Sequence, residues 1–273
     1  MKYSLAGIIA LLTFAAVNIA RAADMAVKAP PPQAPAPVYS WTGFYIGAAA
    51  GVAWDHADVN LDPVNGALPN YRPQDIPGVI ALGTQNFSGT NAIFGGKIGY
   101  NRQFSAWVVG LEADFSSFHF GKSSLVTGNP FPGFGPGFMT LNTNVSTNWL
   151  ATVRPRIGYA FDHTLFFVTG GAAFGRASFS NTDLELAPNG LGFGNEASAA
   201  SQTRTGWTVG AGLDYALATN WIVSVEYLHV DLGSLNASGL VTSAAGLAGA
   251  TATLNFSTKL TSDLACAGIA YKF

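Results

Sequence analysis

Trp149-Leu150-Ala151-Thr152-Val153-Arg154-Pro155-Arg156-Ile157-Gly158-Tyr159-Ala160-Phe161 alternates along its whole length. Trp149, Ala151, Val153, Ile157, Tyr159 and Phe161 share one face with Pro155; Asn148, Thr152, Arg154, Arg156 and Gly158 share the other. A period of two predicts a half-exposed β-strand. Rings stand at both ends of the apolar face, where the two interfaces of a bilayer select them. From Trp149 to Phe161, about 3.3 Å per residue at roughly 45° of tilt gives about 28 Å of height, against an apolar band of about 25 Å. A proline removes a ladder donor, so a local bulge is expected at Pro155.

Seven further runs flank this one, which extends over Ser146–Ala160: Thr42–Trp54, Thr90–Asn101, Ala106–Phe118, Leu165–Ser180, Thr203–Leu217, Trp221–Gly233 and Phe256–Phe273. Short connectors (102–105, 161–164, 218–220) alternate with long ones (55–89, 119–145, 181–202, 234–255). That rhythm predicts an all-β, eight-stranded antiparallel up-and-down barrel, with both termini on the short-turn side.

Alternation alone leaves open which face points outward, since a soluble barrel would turn its apolar face inward. Aromatic placement decides. Rings flank every short turn (Tyr100, Phe104, Trp107; Tyr159, Phe161, Phe166; Tyr215, Trp221; Tyr271, Phe273), and others cluster at the far ends (Trp54, Phe115, Trp149, Phe174, Trp207, Tyr227). Two girdles place the apolar face toward lipid, the short turns in the periplasm and four long loops outside.

Composition agrees. Charged residues make up 10% of the chain, against about 25% in ordinary soluble domains. Mean hydropathy is positive, +0.27, yet no stretch beyond the N-terminus has the roughly 18 apolar residues of a spanning helix. A closed barrel is then the way to pair every backbone group in lipid. Lys2, the apolar Leu5–Ala16 and the small-x-small Ala20-Arg21-Ala22 read as a signal peptide over 1–22. Residues 23–40 form a Pro/Ala-rich periplasmic linker, extended through Ala29–Pro37, and 41–273 the barrel. Losing Lys2 and Arg21 takes the formal net charge from −2 to −4, which excludes nucleic acid as a partner. The single cysteine, Cys266, excludes a disulfide framework and reads as a buried filler.

Several segments carry a family resemblance: Ala22-Ala23-Asp24-Met25-Ala26-Val27-Lys28-Ala29-Pro30, Trp41-Thr42-Gly43-Phe44-Tyr45-Ile46-Gly47, the Trp149–Ala160 run, Val168-Thr169-Gly170-Gly171 and the closing Ala267-Gly268-Ile269-Ala270-Tyr271-Lys272-Phe273. They resemble the small outer-membrane β-barrel proteins of alphaproteobacteria, the "porin family" of RopB-like proteins and Brucella-type surface antigens. The resemblance implies the Gram-negative outer membrane, with its lipid and lipopolysaccharide as surroundings. It also implies a C-terminal signal, Tyr271 and Phe273, read by the barrel-assembly machinery, and a mature N-terminus at Ala23 joined to peptidoglycan. Pro155 departs from the family pattern, where a small residue is usual.

By alternation Lys97, Arg154 and Arg156 point inward together with Glu112, Asp114, Asp214 and Glu226. An eight-stranded lumen is just wide enough for side chains, so these charges are expected to plug it. A narrow small-solute pore is the alternative. His56, His119, His163 and His229 show no metal-ligand spacing, although the resemblance allows a haem receptor with contacts among His56, His119 and His229. His229, Asp231 and Ser234 lie close in sequence but lack a nucleophile motif, so no enzyme is expected. Asp55, Asp58, Asp62 and Asp75 lack a calcium-loop spacing. Phe131, Phe134 and Phe138 on a Gly/Pro loop either contact host or phage surface ligands or pack over the mouth. These readings assign a structural, surface-presenting barrel without catalysis, metal or cofactor.

Overall fold

The computed structural model describes residues 39–131, 137–186, 193–243 and 249–273. The expected leader, Ala23, the linker up to residue 38 and Phe134 lie outside the described residues. Eight strands, β1 (Gly43–Asn65), β2 (Gln85–Phe104), β3 (Trp107–Gly128), β4 (Phe138–Phe161), β5 (Thr164–Leu186), β6 (Phe193–Ala216), β7 (Trp221–Ser243) and β8 (Thr251–Lys272), close in sequence order into one antiparallel barrel. β1 pairs with β8 from Tyr45↔Lys272 to Asn65↔Ala252, so no edge is left and both ends of the sheet meet on the short-turn side. Ser105 and Asp162 take positive φ (56° and 52°), the left-handed conformation that tight hairpins need.

The strands run 20 to 24 residues, about twice what a tilted strand needs to cross a membrane. Most residues expected in the long outward connections belong to strands instead. β1 continues past Trp54 to Asn65, β3 past Phe118 to Gly128, and β7 past Gly233 to Ser243. Asp58 and Asp62 are therefore strand residues facing out, and Asp55 a strand residue facing in. The physical reason is a reversal of polarity. On β1 the outward positions are Phe44, Ile46, Ala48, Ala50, Val52 and Trp54, then His56, Asp58, Asn60 and Asp62. Above Trp54 the inward positions become apolar: Ala57, Val59, Leu61.

Register shifts mark the same level. They fall between Ser117 and Phe120 on β3, Thr147 and Leu150 on β4, and Asp231 and Ser234 on β7. Slipping by one residue exchanges the two faces of a strand. Trp149 faces out below the shift on β4, and Ser146 and Asn144 above it. β6 and β7 leave their ladder between Asn195↔Thr242 and Trp207↔Asp231. No bulge forms at Pro155: β4 and β5 hold one register from Val153↔Ala172 to Arg156↔Thr169. The ring faces out, and Thr169 Oγ1 donates to the Pro155 carbonyl at 2.9 Å. The missing donor opens the ladder locally without displacing it.

Among the described residues, the connection 66–84 carries a helix of its own. Asp75 heads α1 (Ile76–Gly83), with Pro77 in the first turn, and Asp75 pairs with Arg72 at 2.7 Å. This helix was not read from the sequence. Val79 is buried, and Ile76, Leu82 and Phe131 pack on the apolar core beneath. Residues 66–84 are thus a cap on the outer mouth.

Candidate functional site: the filled lumen

Four layers occupy the lumen. At the short-turn end Tyr39 and Trp41 turn up into the barrel and pack with Tyr45, Val108, Leu165, Ala216, Ile222 and Ala270. Trp41 is wholly buried, its backbone N–H donates to Gln103 Oε1 at 2.8 Å, and the Tyr39 ring meets it edge-on at 4.9 Å. Lys272 Nζ sits 4.1 Å over the Tyr39 ring and donates to the Ser40 carbonyl. Sequence reading placed Tyr39 and Ser40 in the linker. The signal it missed is a pair of rings directly before a strand, too bulky for an extended spacer.

Above the plug the seven charges that the alternation assigns inward meet. Arg154 is the hub: its guanidinium lies 2.7 Å from Glu112, 3.1 Å from Asp114 and 2.8 Å from Glu226. Arg156 binds Glu112 at 3.3 Å and Asp214 at 2.5 Å, and stacks 3.7 Å over the Phe167 ring. Lys97 reaches Glu112 at 3.8 Å and donates to Ser224 Oγ at 3.0 Å. Tyr45 Oη donates to Glu112 at 2.7 Å and accepts from Arg156 at 3.0 Å. Buried ions survive only with this degree of mutual satisfaction.

Glycine makes the room. A Cβ at Gly99 would come within 2.3 Å of the Tyr45 ring, and one at Gly212 within 2.5 Å of Phe167. The cavity left beside the network, lined in part by Lys97, Glu112, Arg154 and Glu226, is about 30 Å³. That is room for one or two waters.

The third layer is apolar: Val59, Phe118, Phe120, Leu150, Phe179, Leu232, Leu235, Phe256 and Leu264 fill the outer half, and Phe179 meets Phe256 at 5.2 Å. The cavity beside Phe118, Leu150 and Leu260 is about 10 Å³. Near the mouth lies the fourth layer, a set of buried carboxyls (Asp183, Glu185, Glu196) under the cap. Sequence reading missed it because these residues fell in an expected loop.

The remaining candidates scatter. His56, His119 and His229 lie on β1, β3 and β7, and His56 and His119 are exposed. His229 Nδ1 pairs with Asp263 at 2.8 Å. Asp231 accepts from the Gly233 backbone N–H, so His229, Asp231 and Ser234 form no relay. His163 lies in a short turn beside Asp162 at 2.9 Å. Phe131 packs inward on the core, whereas Phe138 begins β4 on the outer wall. Tyr271 and Phe273 face outward, Tyr271 edge-on to Trp221 at 5.3 Å, and the Phe273 backbone N–H donates to the Phe44 carbonyl.

A family model described as an outer membrane protein beta-barrel domain matches residues 9–259. The chain is 33% identical over 228 residues to the 31 kDa outer-membrane immunogenic protein of Brucella melitensis, covering 80% of this chain and 82% of that one. It is 28% identical over 230 residues to the 25 kDa outer-membrane immunogenic protein of Brucella abortus, covering 83% of each. Among solved structures, the outer membrane protein OprG of Pseudomonas aeruginosa matches with a TM-score of 0.42 at 13% identity, over 86% of this chain and 98% of that one.

Proposed function

We propose, from the premise that this chain belongs to the outer membrane β-barrel family, that it is a closed structural barrel that stiffens the outer membrane and presents its outer wall as a surface antigen. The observation that carries this reading is the filling of the lumen from end to end: ring plug, ion-pair layer, apolar core and cap. A conducting path needs a continuous wetted channel, and the cavities beside the ion-pair layer and in the outer core hold about 30 and 10 Å³. Planar-bilayer recordings of the refolded protein test it. No stable unit conductance is expected; a reproducible single-channel step would reinstate the small-solute pore.

A tether to peptidoglycan through Ala23 is supported by the plug. Trp41, buried in the plug with Tyr39, anchors the chain ahead of β1, so that a pull from the N-terminal side would fall first on the lumen packing. Washed peptidoglycan sacculi boiled in detergent are expected to retain the protein, and to lose it after Ala23→Gly/Asp24→Gly replacement. Sacculi free of the wild-type chain would end this reading. Tyr271 and Phe273, exposed on the closing strand, suit recognition by the assembly machinery. Phe138 and the polar outer wall are the surface offered to lipopolysaccharide and to host or phage ligands.

A further inference from the structure

The outer end of the lumen holds carboxyls that no cation among the described residues pairs with, whereas in the layer below three cations face four carboxylates. Asp183, Glu185 and Glu196 point inward at 3%, 6% and 5% exposure. Asp183 lies nine residues beyond the girdle ring Phe174 on β5, about 20 Å above the apolar band at ordinary strand rise and tilt. None of the ion pairs among the described residues includes any of the three. Three bare carboxylates in such a chamber are too costly to persist.

Two of them are supplied with donors. Tyr71 Oη, from the cap, donates to Glu185 Oε1, and Asn70 Nδ2 approaches Glu185 Oε2 at 3.5 Å. Asn181 Nδ2 donates to Glu196 Oε2 at 3.1 Å, while its own Oδ1 accepts from Thr143 at 3.0 Å. Neither oxygen of Asp183 accepts a well-formed hydrogen bond from a side chain, and the donor beside it is the Leu184 backbone N–H. Asp183 and Glu185 occupy adjacent inward positions of β5, close enough for one carboxyl to donate to the other. No group of three or more His, Cys, Asp or Glu side chains among the described residues is arranged to hold a metal ion. A proton shared between neighbouring carboxyls would relieve the charge without any cation.

We propose that Asp183 is a carboxylic acid at neutral pH, that its proton bridges to Glu185, and that this pair is the catch that holds the cap of residues 66–84 over the outer mouth through Tyr71. As an acid, Asp183 donates to Glu185, which then accepts from Asp183, Tyr71 and Asn70 and tolerates its remaining charge. Burial, with the Glu185 and Glu196 carboxylates beside it, pushes Asp183 up to about 9. Burial likewise raises Glu185, Glu196 and Tyr71, so Tyr71 stays a donor.

The titratable groups facing Asp183 are Glu185 on its own strand, Glu196 on β6 and Tyr71 on the cap. β4 faces it with Leu141 and Thr143. β7 contributes Gly239, where a Cβ would strike Glu196 Oε1. Because folded Asp183 titrates above its free value, the stabilisation is complete below the ordinary carboxylate range and is lost as pH rises through about 9. Above that, two adjacent buried anions repel, water enters, and Tyr71 is released.

The full chain refolded into bilayers tests this. Infrared difference spectra of the wild type between about pH 6 and pH 11 are expected to lose a protonated-carboxyl band with a midpoint near pH 9, and Asp183→Asn to lack that band. A spin label at Leu68→Cys, in a Cys266→Ala background, is expected to be immobile at neutral pH and mobile above the transition. In Asp183→Asn, which keeps a donor and gains no charge, the label should stay immobile throughout. The proposal is overturned if the wild type shows no carboxyl band at neutral pH, if the label mobilises at the same pH in Asp183→Asn, or if its mobility follows added calcium instead of pH. The wild-type spectrum decides the matter even where Asp183→Asn does not refold.

Discussion

The two halves of this barrel are built to opposite rules on one continuous sheet. In the membrane band Val153, Ile157, Val225 and Ile269 face out, and Glu112, Arg154, Arg156 and Asp214 face in. In the outer cylinder Asn142, Asn144, Ser238 and Lys259 face out, and Leu141, Val145, Leu254 and Phe256 face in. Backbone pairing is indifferent to the change, since both halves use the same ladder. The surroundings decide which face is apolar: lipid below, water above. The lumen inherits whichever chemistry the outside does not take. This predicts that the halves fail differently.

The sharpest way to separate them is Arg154→Met. It strands Glu226 and leaves Asp114 with only the Thr152 hydroxyl, while Glu112 keeps Arg156, Lys97 and Tyr45. Removing one partner of a buried ion network typically costs about 3–5 kcal/mol. Urea unfolding followed by tryptophan fluorescence is expected to show a loss at the upper end of that range. A loss under about 1 kcal/mol would mean that the lumen is wetted and the network screened.

Phe256→Ala probes the other half. Phe256 is buried among Phe179 and its neighbours, and truncating it should cost about 3 kcal/mol through lost burial and the cavity left behind. The damage should stay local. Protease added outside is expected to cut the outer cylinder while the membrane band keeps its protected fragment. Cooperative loss of both halves would break the comparison.

How much of this was legible in the sequence follows the same division. The membrane band could be read residue by residue, because its outward rings and aliphatics contrast sharply with inward Gly, Arg and Glu. Arg154, Arg156 and Glu112 announced themselves as lone charges on apolar strands. The outer cylinder alternates too, as in Leu141-Asn142-Thr143-Asn144-Val145, but with the apolar face reversed and many positions neutral Ser, Thr or Asn. A reading anchored on outward apolar faces ends each strand at the girdle and assigns the remainder to loops. Asp183 and Glu185 were lost that way, since a carboxylate in an expected loop carries no signal. Bulges at Ser117–Phe120 and Asp231–Ser234 added to this by shifting the phase.

The finest discrimination comes from placing one charge on each outer face. Val225 lies in the membrane band of β7, between the girdle rings Trp221 and Tyr227 and exposed toward lipid, and Val225→Arg should cost about 2 kcal/mol or more, the usual penalty for a cation near the bilayer midplane. Ser180 occupies an outward position of β5 in the outer cylinder, where its cross-strand neighbours Asn144 and Ala199 are uncharged. Ser180→Arg should change stability by less than about 0.5 kcal/mol, as surface substitutions do in water. Unfolding the two variants in the same bilayer measures the difference directly. If Ser180→Arg costs as much as Val225→Arg, the outer cylinder is embedded in lipid too. The polarity reversal at Trp54, Trp149 and Trp207 would then not mark the membrane boundary. A large penalty at Val225 beside a negligible one at Ser180 would fix that boundary between two positions on the wall of one continuous sheet.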